Sequence, residues 1–71
     1  MDQLHPIDRD ILKLLVNGNL VNEIALEINK SKRYILYRLS DLKISHNCKT
    51  NVQLIYSLIH SGLLRFERFN E

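Results

Sequence analysis

The chain has 71 residues, 45% of them apolar and 25% charged. That is the composition of an ordinary globular domain, and the length allows one domain with one modest core while excluding a deep substrate pocket beside it. The formal net charge is only +2, and a single cysteine excludes an internal disulfide, so a reducing, intracellular setting is expected. No apolar run approaches the roughly 20 residues that span a bilayer, so no membrane partner is expected. The N-terminus lacks a charged-then-apolar leader pattern, and Met1 reads as a true start.

The first helix is expected to open at Pro6, whose missing N–H would be unpaired at a first helical position anyway. Asp8 and Asp10 then complement the helix dipole. Ile7, Ile11, Leu14 and Leu15 form an apolar stripe at helical spacing. Asn17 and Gly18 end it, Gly18 as a left-handed residue. The second helix runs from about Leu20 to Ile28, with Asn19 as its expected cap and Ile24, Ala25 and Ile28 as its apolar face. Asn29-Lys30-Ser31 interrupts the pattern, and Ser31 can cap the third helix through its hydroxyl.

The third helix covers about Lys32 to Ile44. At about 100° per residue, Ile35, Leu39 and Leu42 fall on one narrow core stripe. The opposite side carries Arg33, Leu36, Tyr37, Ser40 and Ile44, with Asp41 at its edge. A solvated face does not normally hold Leu36, Tyr37 and Ile44 together, so this side is expected to meet something. The fourth helix starts at a capping box, Thr50 with Gln53. Its apolar residues, Val52, Leu54, Ile55, Tyr56, Leu58 and Ile59, cover an arc of about 200°, twice what one core contact requires. A second copy of the chain is the expected partner for the surplus, with these six as the candidate dimerisation residues and Leu54, Leu58 and one of Val52 or Tyr56 in direct contact with it; the C-terminal tail is the competing cover. Gly62 stops this helix, and Leu63, Leu64, Phe66 and Phe69 come after it among charges.

The charges are unevenly placed along these elements. Residues 1–29 carry Asp2, Asp8, Asp10, Glu23 and Glu27 against Arg9 and Lys13. Residues 30–49 carry Lys30, Lys32, Arg33, Arg38, Lys43 and Lys49 against Asp41 alone. A basic segment concentrated in the turn and third helix is a footprint of polyanion binding, although a solvated lysine-rich face would look similar.

A short helix, a brief turn and a second helix with a basic, mixed face make the helix-turn-helix pattern. In detail the chain resembles the LuxR/GerE-type DNA-binding domain over nearly its whole length. The matching places are Asp8-Arg9-Asp10-Ile11-Leu12, Leu14-Leu15 and Gly18 in the first helix, Glu23-Ile24-Ala25 in the second, and Ser31 in the turn. Tyr34-Ile35-Leu36-Tyr37-Arg38 stands at the recognition helix, Thr50-Asn51-Val52-Gln53-Leu54-Ile55 opens the fourth helix, and Gly62-Leu63 closes it. The family's recognition-helix Lys and His are here Leu36 and Arg38, its Lys-Leu pair before the last loop is Ser45-His46, and a fourth-helix Arg is Asn51. These departures touch base and phosphate contacts rather than the fold.

The expected architecture is therefore all-α, four helices in a single domain, with a core over about residues 4–64 and a short tail at 65–71. The resemblance implies that the third helix enters the major groove and the fourth dimerises. The expected function is that of a small cytoplasmic transcriptional regulator, nucleoid-associated, that binds duplex DNA as a homodimer and has no added sensing domain. Lys30, Ser31, Lys32, Arg33, Tyr34, Leu36, Tyr37, Arg38 and Ser40 are the candidate DNA contacts. Lys30, Lys32 and Arg38 are placed for phosphates. The rival is a protein-binding adaptor whose apolar outer face docks on another regulatory protein. His5, His46 and His60 are scattered, Cys48 reads as a small buried hydrophobe, and no phosphate loop or carboxylate pair appears. No metal, no cofactor and no enzymatic role are expected.

Overall fold

Pro6 opens the first helix of the computed structural model, which describes residues 4–65. Helix α1 spans Pro6–Val16. His5 precedes it in extended backbone, and its Nδ1 accepts from the Ile7 N–H at 3.3 Å. Gly18 terminates the segment at φ 95°, a left-handed conformation that costs glycine nothing.

Asn19 does not cap the second helix. Its backbone N–H (3.1 Å) and its Nδ2 (3.0 Å) both donate to the Leu14 carbonyl, so it closes α1 instead. Helix α2 spans Val21–Ile28 and starts from Leu20. Glu23 supplies the missing cap by reaching back to accept from the Leu20 N–H at 2.7 Å. Asn29 ends α2 at φ 65°, a region that asparagine tolerates better than most residues.

Helix α3 spans Lys32–Ser45, so only Asn29, Lys30 and Ser31 separate it from α2. The Ser31 Oγ accepts from the Tyr34 N–H at 3.0 Å, the cap its position implies. Helix α4 spans Asn51–Ser61. The Thr50 Oγ1 accepts from the Gln53 N–H at 3.0 Å, while the Gln53 Oε1 accepts from the Lys49 N–H at 2.7 Å rather than from Thr50 itself. Gly62 ends α4 at φ 85°.

The described residues thus form four α-helices and no strand. Helix α3 packs against each of the other three, and α1 packs against α2. Ile11, Leu12, Ile24, Ile35, Leu54 and Leu58 are fully buried, and Ala25, Leu39 and Leu42 join them. Each such large aliphatic contributes about 1.5–3 kcal/mol by leaving water. Leu4 and Leu64, outside the helices, are buried in the same core. The stripe of Ile35, Leu39 and Leu42 is buried as its spacing requires. Cys48 is half-buried against the core, with its Sγ 3.4 Å from the His46 carbonyl. Phe66 and Phe69, the aromatic part of the tail, lie outside the described residues. No helix among the described residues is long and apolar enough to cross a membrane.

Candidate functional site

The burial of Ile35, Leu39 and Leu42 fixes which side of α3 looks outward. Lys32, Arg33, Leu36, Tyr37, Ser40, Asp41 and Ile44 are all exposed, Tyr37 at 61% and Ile44 at 76%. Apart from Lys32, which stands beside it, this is the mixed face the helical periodicity places opposite the core.

Its N-terminal end is chemically unusual. Helices α1 and α2 carry Asp8 and Glu23 in their first turns, where a negative charge complements the helix dipole. The first turns of α3 and α4 have no acid, and α3 alone begins with two bases, Lys32-Arg33, one residue after Ser31 and two after Lys30. Cations there oppose the dipole, at a cost of about 0.3–1 kcal/mol each. All three bases are exposed. Lys30 Nζ lies 5.3 Å from the ring centroid of Tyr34, which holds it beside the start of α3. The half-buried Tyr34 ring packs on the core, so it serves as that support rather than as a free contact. Ser31 is exposed, but its hydroxyl is engaged as the cap. The outcome is a concentration of positive potential at the α2–α3 turn and the first turn of α3, a setting that suits an anion.

Arg38 is placed differently from the other bases. Its Nε donates to Asp8 Oδ1 at 2.8 Å and its Nη2 to Asp8 Oδ2 at 2.6 Å. The hydrogen bonding to Asp8 raises the guanidinium further above its ordinary range, partial burial opposes this, and the Asp8 charge adds to it. Arg38 is therefore committed to α1 and does not stand free for a phosphate. Asp8 is only 3% exposed, so its role is this ion pair and not merely the dipole of α1.

The apolar arc of α4 divides cleanly. Leu54 and Leu58 are fully buried in the protomer, and Ile55 is half-buried against the same core. The expectation that Leu54 and Leu58 meet a second copy is corrected by this: their side of the arc faces α3 and the rest of the core. Val52, Tyr56 and Ile59 form the outward side, at 79%, 69% and 41% exposure. The Tyr56 ring stacks on His60, with centroids 5.8 Å apart.

Elsewhere, an open groove of about 620 Å³ runs along α1 and α2, lined by Ile7, Leu14 and Ile28 with Asp10, Lys13 and Glu27 at its edges. Among the described residues, no three His, Cys, Asp or Glu side chains gather as a metal site. No protein-family model matches the chain, and no curated protein matches it.

Proposed function

We propose that the protein is a LuxR/GerE-like helix-turn-helix regulator that binds duplex DNA, with α2 and α3 as the motif and α3 as the helix that enters the major groove. The observation that carries this reading is the base-rich, acid-free start of α3. Lys32 and Arg33 stand exposed in the first turn of α3, where the helix dipole is already positive, and the exposed Lys30 adjoins them just past the end of α2. Folding alone disfavours that placement, whereas a phosphate backbone rewards it. Lys30 and Lys32 hold phosphates, and Arg33 takes guanine through a two-pronged contact. Ser40 meets a base edge and Leu36 a thymine methyl. The site is A·T-rich, with few specified G·C pairs.

The protein acts as a homodimer in the cytoplasm, at the nucleoid. Support for pairing comes from α4, which carries no Asp, Glu, Lys or Arg along its length yet exposes Val52, Tyr56 and Ile59. A charge-free apolar stripe can face its own copy about a two-fold axis without like-charge repulsion. Enrichment of a two-fold symmetric motif from a random-sequence duplex pool tests the reading. It predicts such a motif, which Leu36→Ala and Tyr37→Ala relax.

One observation favours a second reading, a protein-binding adaptor. Leu36, Tyr37 and Ile44 are exposed on one face of α3 with Arg33 one turn before Tyr37, and tyrosine and arginine are enriched at protein-binding hot spots. That reading predicts no motif, and a bound protein lost in the same two variants.

A further inference from the structure

We propose that Asp8 is a positioning residue for the outward face of α3: by gripping Arg38 across the α1–α3 contact, it sets the rotation of α3 and thereby which side chains reach the groove. The DNA part of this inference rests on the reading above; the orientation part does not.

The geometry is specific. Asp8 lies in the first turn of α1, and Arg38 is the seventh of the fourteen residues of α3, at the helix midpoint. The two are thirty residues apart in sequence and meet through two parallel N–H···O bonds. Asp8 is nearly inaccessible, and the Arg38 side chain is 24% exposed. Among the described residues this is the one salt bridge, and Asp8 is the one buried charged residue.

The rest of the contact is aliphatic. Ile11, Leu12, Ile35 and Leu39 attract one another without directional preference, so the stripe decides which side of α3 is buried, while apolar burial by itself does not hold the rotation of α3 to within about 20°. A forked guanidinium on a carboxylate accepts only a narrow range of positions. Arg38 projects from the flank of α3 between the core stripe and the outward face, where rotation displaces it directly. A turn of about 20° moves groups about 5–6 Å from the helix axis by about 2 Å, which is more than a hydrogen bond tolerates. The same displacement would carry Arg33, Leu36 and Ser40 off their base edges. A charge pair that costs desolvation, in a core where aliphatics would serve, is accounted for by this orienting role.

The test replaces the pair by aliphatics of similar size, Asp8→Leu with Arg38→Met, and separately weakens the fork by Arg38→Lys, which keeps the charge and the fold. Residual dipolar couplings of backbone amides report, with no DNA present, both the angle between α1 and α3 and, through the phase of their periodic variation along each helix, the rotation of each helix about its own axis. Each helix is expected to fit by itself in both variants, while the two cease to fit the wild-type mutual orientation. With DNA, discrimination between the enriched motif and random duplex is expected to fall about tenfold, while the salt slope on random duplex stays as in the wild type. Couplings that still fit the wild-type orientation in the variants overturn the proposal. So does a salt slope that drops by about one, because Arg38 would then be a phosphate contact. A wild type that binds no duplex removes the DNA reading and leaves the couplings to decide the positioning claim.

Discussion

Asp8 and Arg38 join the start of α1 to the middle of α3 through bonds of 2.8 and 2.6 Å, with the carboxylate almost wholly out of water. Removing one partner strands the other. Asp8→Asn or Arg38→Met should each cost about 3–4 kcal/mol, the lower part of the range for a broken buried pair because Arg38 retains some solvent. Against a total stability of about 4–10 kcal/mol for a chain of this length, either change is severe. Urea denaturation of the single variants, with the Asp8→Leu/Arg38→Met pair for comparison, checks this. The double variant is expected to recover most of the loss.

The two sides of α4 should respond differently to substitution. Leu58→Ala empties a fully buried position and is expected to cost about 2–5 kcal/mol of stability. Leu58→Asp is expected to unfold the protomer rather than release folded monomers. Tyr56→Ala and Val52→Ala change exposed positions and are expected to alter protomer stability by no more than about 0.5 kcal/mol while weakening self-association. Thermal melts and sedimentation equilibrium on these four proteins and on Tyr56→Asp separate the effects. A dimer unchanged by Tyr56→Asp contradicts the α4 interface.

The caps carry measurable stability. Ser31→Ala and Thr50→Ala each remove an oxygen that accepts a first-turn N–H at 3.0 Å. Each should cost about 0.5–2 kcal/mol. Ser31→Ala also loosens the start of α3, and amide exchange should quicken at Tyr34 before it does so elsewhere in that helix. Equal protection at Tyr34 in the variant and the wild type contradicts this.

Local features were legible in the sequence, and contacts between distant residues were not. Ser31, Thr50, Gly18 and Gly62 announce helix ends because capping and left-handed turns depend on one residue and its near neighbours. The stripe of Ile35, Leu39 and Leu42 is narrow, so its direction is fixed by periodicity alone. The arc of α4 is too broad for that. Its spacing says that there is a surplus of apolar surface, but not that Leu54 and Leu58 take the core and leave Val52 and Tyr56 outside. Asn19 could have served either neighbouring helix, and only the folded turn shows that it takes the Leu14 carbonyl. The Asp8–Arg38 pair gave no signal, since thirty residues separate it and each member has an ordinary local explanation. Arg38 is consequently the candidate contact whose role changes most.

Lys32 and Arg33 should be separable by what they read. Lys32→Ala is expected to weaken all duplexes alike and lower the salt slope by about one. Arg33→Ala is expected to relax the enriched motif at a G·C position, at about 1–3 kcal/mol of discrimination. Competition binding against the motif and its single-base variants checks both.

The most direct test of DNA binding by α3 is the affinity for random-sequence duplex DNA measured over a salt series. The proposed regulator binds, and log affinity falls linearly with log salt at a slope of about −0.9 for each phosphate neutralised, shallower by about one in Lys32→Ala and unchanged in the Asp8→Leu/Arg38→Met double variant. Absence of duplex binding at low salt, or binding with a slope indifferent to Lys30, Lys32 and Arg33, would contradict the account.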